Sequence, residues 1–222
     1  VANRSKELVQ CLFDAREYRP DGIVNGKELW DVISHKEEHK SKPYPFIGLN
    51  SITHGMRLGE LVTVTAGSGI GKSLFCREIA HHLLGLGETV GYIALEESVR
   101  RTALGILGIH MNKPLHLDDD MLDEKELRPA FDKTVGNGKF YTYDHFGSME
   151  SDNLLSKIRY LIKGFDCKWI FLDHLSIVVS GIQGDDERRL IDNTMTKLRS
   201  LVEETGCGMV LVSHLKRVDT GH

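Results

Sequence analysis

No stretch of these 222 residues approaches the ~18 consecutive apolar residues needed to cross a bilayer as a helix. The opening decapeptide, Val1 to Gln10, is polar and has no apolar core of the kind a secretory signal carries, so a cytoplasmic location with no membrane association is expected. Positive charge is not in excess either. The formal net charge is -4, which rules out a global basic field and leaves any nucleic acid to bind a local patch or the lumen of an assembly. Cysteine is scarce: Cys11, Cys76, Cys167 and Cys207 are scattered through the chain, as expected of free thiols in a reducing compartment rather than a disulfide framework. No Cys or His pair has zinc-ligand spacing. His81 and His82 are adjacent, and on a helix they point to different sides. Low-complexity tracts and internal repeats are also missing.

What is present is an ordinary globular composition, 41% hydrophobic and 27% charged, sufficient for a sizeable core. From Phe46 onward, short β-branched or apolar runs alternate with helical patterns. Strands are expected at 61–65, 90–94, 140–143, 168–172 and 209–213. Helices are expected at 73–84, 99–110, 124–135, 152–163 and 187–204. The last helix carries Ile191, Met195, Leu198 and Val202 at spacings of three and four. Nearly all-apolar strands alternating with helices imply an α/β domain, a mainly parallel sheet covered by helices on both faces. Residues 1–45 differ. Ser5 to Tyr18 form an amphipathic pattern with Leu8, Val9, Leu12 and Phe13 on one face. Pro20-Asp21-Gly22 is a turn, and Asn25 can cap a second helix carrying Leu29, Trp30, Val32 and Ile33. These helices read as a linker ahead of a domain at 46–222, or as elements packed on that domain. The chain opens on Val1 and stops at Thr220-Gly221-His222 just after a strand, so it is expected to be a fragment of something longer.

The strongest chemical signal is Ala66-Gly67-Ser68-Gly69-Ile70-Gly71-Lys72-Ser73, placed after an apolar strand and before a helix. Glycines let the backbone fold round a phosphate with several N–H groups pointing inward, and the helix adds the positive end of its dipole. Gly67, Ser68, Gly69, Ile70, Gly71, Lys72, Ser73 and Leu74 are the candidate nucleotide-binding residues. Within that set Lys72 reaches the outer phosphates, and the Ser73 hydroxyl can ligate Mg²⁺. Ala66 stands where the strict pattern has glycine, a difference of one methyl group. From average composition the relaxed pattern arises by chance in about one chain in fifty of this length, and the required flanks lower that further.

Trp169-Ile170-Phe171-Leu172 ends in Asp173, an acid at the carboxyl edge of a buried strand, where a doubly wound fold places ligand-facing groups. Asp173 is the second candidate metal ligand, with a helix-capping role as the bland reading. The next residue, His174, is not an acid, so a catalytic base must come from elsewhere. Leu95-Glu96-Glu97-Ser98 supplies it: Glu96 ends a strand, whereas Glu97 fits better as a solvated charge at the start of the helix that Ser98 caps. The final strand ends Val212-Ser213-His214, and His214 is a candidate sensor of the terminal phosphate, with a structural histidine as the alternative.

Taken in order, the phosphate loop, Leu-Glu-Glu-Ser, Ile-Phe-Leu-Asp-His-Leu-Ser-Ile-Val-Val at 170–179 and Val-Ser-His-Leu-Lys at 212–216 resemble the DnaB family of hexameric replicative helicases, within it the phage primase–helicase branch. Phe46-Ile47-Gly48-Leu49-Asn50, Gly55 and Leu58-Gly59-Glu60-Leu61 resemble the family's lead-in to the first strand. Asp186-Glu187-Arg188, Asp192-Asn193 and Met195-Thr196-Lys197-Leu198 continue the likeness, which runs over roughly 5–219. The resemblance implies a RecA-like ATPase core that hydrolyses ATP or a dNTP, dTTP among them, with Mg²⁺. It implies Lys72, Glu96 and His214 in catalytic roles and Ser73 and Asp173 at the metal. It further implies a homo-oligomeric ring, a hexamer or heptamer, held by the N-terminal linker helix and encircling single-stranded DNA. Ser180, Gly181 and Gly184 map to one DNA loop, and Lys216 and Arg217 begin a second that is cut off. The segment carrying an arginine finger is expected beyond His222, and a primase domain and a replisome polymerase are the further partners implied. A RecA/RadA-like recombinase and a nucleotide-binding assembly module that does not turn over are the competing readings. Duplex unwinding against strand pairing separates the first from a helicase, and phosphate release separates the second.

Overall fold

The computed structural model describes residues 25–34, 41–117, 123–144, 151–175 and 185–214. Two compact units divide between His39 and Lys40. In the first, helix α1 (Glu28–Ser34) is led in by Asn25, whose side-chain oxygen accepts from Lys27 N at 2.9 Å, the capping role expected of it. Leu29, Trp30 and Ile33 on this helix are exposed.

The second unit runs α2 (Ile47–Thr53), β1 (Leu61–Ala66), α3 (Lys72–Gly85), β2 (Val90–Ala94), α4 (Val99–Met111), α5 (Glu124–Lys133), β3 (Phe140–Thr142), α6 (Ser151–Phe165), β4 (Trp169–Asp173), α7 (Asp185–Thr205) and β5 (Gly208–His214). Helix α2 had no place in the sequence reading: its seven residues bury none of their number, so no periodicity announced it. The core also begins earlier than Phe46, because Tyr44 is buried in it and Lys42 pairs with Met56.

All pairings among these five strands are parallel, in the order β1-β5-β4-β2-β3. Parallel strands joined by helical crossovers put every carboxyl end on one sheet edge, so Ala66, Ala94, Asp173 and His214 share it. Period-two alternation then sorts the side chains. Tyr92, Trp169, Phe171, Val210 and Val212 pack with α3 and α4, while Ile93, Ile170, Leu172, Met209 and Leu211 pack with α6 and α7. Tyr92 and Phe171 stack with centroids 5.5 Å apart on the first face. Truncating a ring this deeply buried typically costs ~3–5 kcal/mol. The same parity places Asp173 on the face of Trp169 and Phe171, toward α3. Among the described residues no helix is long and apolar enough to cross a membrane. Cys76, Cys167 and Cys207 are buried free thiols, as expected, and burial pushes Cys167 up to about 12.

Candidate active site

The loop between β1 and α3 turns on glycines with positive φ, +78° at Gly69 and +90° at Gly71, conformations costly for any residue with a Cβ. Residues 67–71 are exposed, so the loop's backbone is open to a ligand. Ile70 and Leu74 are exposed too, flanking the turn. Lys72 is the first residue of α3 and is 7% exposed; its ammonium donates to Ala66 O at 3.0 Å and Gly67 O at 2.6 Å. The lysine therefore braces the loop with two neutral carbonyls, partners that a phosphate can outbid electrostatically. The methyl of Ala66 leaves its carbonyl in place for this contact.

Asp173 closes β4 at 6% exposure, with the Ser73 hydroxyl beside its carboxylate. Burial pushes the Asp173 carboxyl above its ordinary range, the Ser73 hydrogen bond opposes that rise, and Glu97 adds to it. A hydroxyl and a carboxylate held together at the start of the phosphate helix are hard oxygen donors, the set that suits Mg²⁺, and a cation there would offset the desolvation of Asp173.

A cleft of about 720 Å³ opens beside them, lined by Ser73, Arg77, Glu96, Glu97, Ser98, Arg101, His116, Asp144 and Asp173. That volume lies within the range of small-molecule sites. The Glu96 side chain is 56% exposed and reaches across so that Oε1 lies 2.6 Å from His174 Nε2. Glu97 is not the solvated helix charge expected from sequence. Its side chain is 14% exposed, Arg77 contacts one carboxylate oxygen, and Thr102 donates to the other at 2.7 Å. Ser98 does cap α4, accepting from Arg101 N. Burial, together with the charges of Arg77 and Arg101, holds His116 below the usual histidine range.

The backbone of His214 ends β5 with Ala66 as its register partner, next to the phosphate loop. Ser180, Gly181, Gly184, Lys216 and Arg217 lie outside the described residues, as does the linker pattern at 5–18. Sequence reasoning missed Arg77, Arg101, His116, Asp144 and the inward turn of His174. Only Arg77 carried a signal, as the residue one helical turn past Ser73.

The profile of the DnaB-like helicase C-terminal domain matches residues 43–221. The chain belongs to this family. A DNA helicase/primase of enterobacteria phage T3 is 35% identical over 203 residues, which are 86% of this chain and 36% of that protein. The chain thus spans about a third of its curated relative's length. A KaiC-like protein of Pyrococcus horikoshii superposes with a TM-score of 0.57 over 80% of this chain and 71% of its own, at 20% identity, a likeness of fold. Membership in the DnaB-like helicase family and this neighbour agree with the α/β RecA-like core expected from the strand and helix alternation.

Proposed function

We propose that this chain is the NTP-hydrolysing motor of a replicative DNA helicase. One observation carries the reading: a single sheet edge brings Lys72 and Ser73 of the phosphate loop together with Asp173 and the exposed Glu96, in a domain of the DnaB-like family. In this reading the substrate is ATP or a dNTP, dTTP included. Lys72 leaves its two loop carbonyls for the outer phosphates. Ser73 and Asp173 hold Mg²⁺, which neutralises phosphate charge when bound. Glu96 orients the attacking water and takes its proton, and His214 reports loss of the terminal phosphate. The segments carrying Ser180, Gly181 and Gly184, and Lys216 and Arg217, contact single-stranded DNA. A hexameric or heptameric ring is joined through the N-terminal linker helices. A primase domain, the activity that the T3 helicase/primase carries in its name, and a replisome polymerase are its further partners in the cytoplasm of a phage's host.

The test is Glu96→Gln, which keeps size and hydrogen bonding but removes the carboxylate. Mg-nucleotide affinity should stay near that of the parent while single-turnover hydrolysis falls by ~10²–10⁴, the usual worth of a positioned general base. Unchanged turnover in this variant overturns the assignment.

A further inference from the structure

We propose that Arg77, Glu97 and Thr102 are positioning residues that fix the direction of the Glu96 carboxylate. This role presupposes that Glu96 is the base. Arg77 lies one turn past Ser73 on α3, and its side chain is 6% exposed. A guanidinium cannot shed its proton, so at this depth it needs an anion. Glu97 provides one, and Thr102 Oγ1 of α4 fills the other carboxylate oxygen at 2.7 Å, with Arg101 Nε at 3.8 Å on the open side. Glu97 is thereby clamped from two helices.

The clamp is built into the packing. A Cβ at Gly105 of α4 would stand 2.8 Å from Arg77 Cδ and Nη1 and 2.9 Å from Cζ, so only glycine leaves the slot through which the guanidinium passes. An ion pair this deeply buried gives little stability that well-packed apolar residues would not give. What it does secure is the backbone at 97, hence the exit direction of 96. Glu96 needs that support: its side chain is 56% exposed, and one oxygen lies 2.6 Å from the buried His174 ring. Arg77 also belongs to the phosphate helix itself, so the clamp sets the distance between the water-activating carboxylate and the phosphate loop.

The experiment compares the full-length protein with the double variant Arg77→Met/Glu97→Leu and with Thr102→Val. The double variant removes both buried charges together, and Thr102→Val keeps them while deleting one hydrogen bond. Positioning predicts that each melts close to the parent and binds Mg-nucleotide within about threefold, while kcat falls by roughly ten- to a hundredfold in the double variant and less in Thr102→Val, the scale of a misplaced reacting group. If kcat in a folded double variant equals the parent's, the pair is only structural. Should the double variant not fold, unchanged kcat in Thr102→Val overturns the proposal and a reduced kcat at unchanged affinity supports it. The underlying reading fails separately: full turnover in Glu96→Gln refutes Glu96 as base, whereas loss there with an intact double variant refutes the clamp alone.

Discussion

Burial and the Ser73 hydroxyl pull in opposite directions at Asp173, and burial wins. Its carboxyl sits above the ordinary range because water has been removed from around it. The native state therefore holds a proton at that group more tightly than the unfolded chain does. In linkage terms the contribution of Asp173 is most favourable in acid, falls as pH rises from the unfolded value of 3.8 through the raised native one, and stays low at neutrality. Asp173→Asn should then melt a few degrees above the nucleotide-free parent near neutral pH, with the gap closing in acid. Added Mg-nucleotide should invert the order, since only the parent gains the full stabilisation of a bound ligand. Thermal melts across pH, with and without nucleotide, check this, and a variant that melts lower than the parent at neutrality contradicts the account. Positions 96 and 97 mark how far a sequence reading reaches at this scale. Parity at a strand exit separated the two acids, but the partner that buries Glu97 is twenty residues upstream in sequence, and no local pattern connects Arg77 to it.

The regular elements were legible because each strand is a short apolar run and each long helix has an apolar stripe, so the pattern survived burial on both sheet faces. The ends of β2, β4 and β5, which place Glu96, Asp173 and His214, could be read to within a residue. The exception, α2, exposes Ile47 and Ile52 and fully buries no residue; Leu49 alone of its large apolar side chains packs, half-buried, on the core, which is too little to make a stripe. Helix α1 poses a related question with Leu29, Trp30 and Ile33 exposed together. Apolar side chains displayed on one short helix call for a partner surface. Deleting residues 1–39 should therefore weaken oligomerisation far more than it lowers the melting temperature of the remaining unit, whose own core begins at Tyr44. Sedimentation and melting of both forms decide the matter: unchanged assembly with a large drop in melting temperature places the deleted segment within the fold of a single chain.

At the scale of the whole molecule, the cations described around the cleft are committed to the chain's own groups. Lys72 contacts the loop carbonyls, and Arg77 and Arg101 face Glu97. Lys72 can turn to a phosphate without stranding a buried carboxylate, whereas Arg77 cannot. A phosphoryl-transfer site usually draws further rate, ~10³–10⁵, from an arginine that approaches the terminal phosphate, often supplied by another subunit. With a net charge of -4 the surface offers no general attraction for a polyanion either, so the function proposed above calls for an assembly in which neighbouring copies complete each other's sites. Doping the full-length parent with Glu96→Gln subunits tests that directly. The variant keeps the phosphate loop and should enter mixed rings, where each inactive subunit stalls sites beyond its own. DNA-stimulated hydrolysis should therefore drop more steeply than the fraction of parent subunits, with little activity left once a minority are variant. A strictly proportional decline, measured where mixed assembly is verified by sedimentation, would mean that every subunit fires independently, and the shared-site reading of this motor would have to be given up.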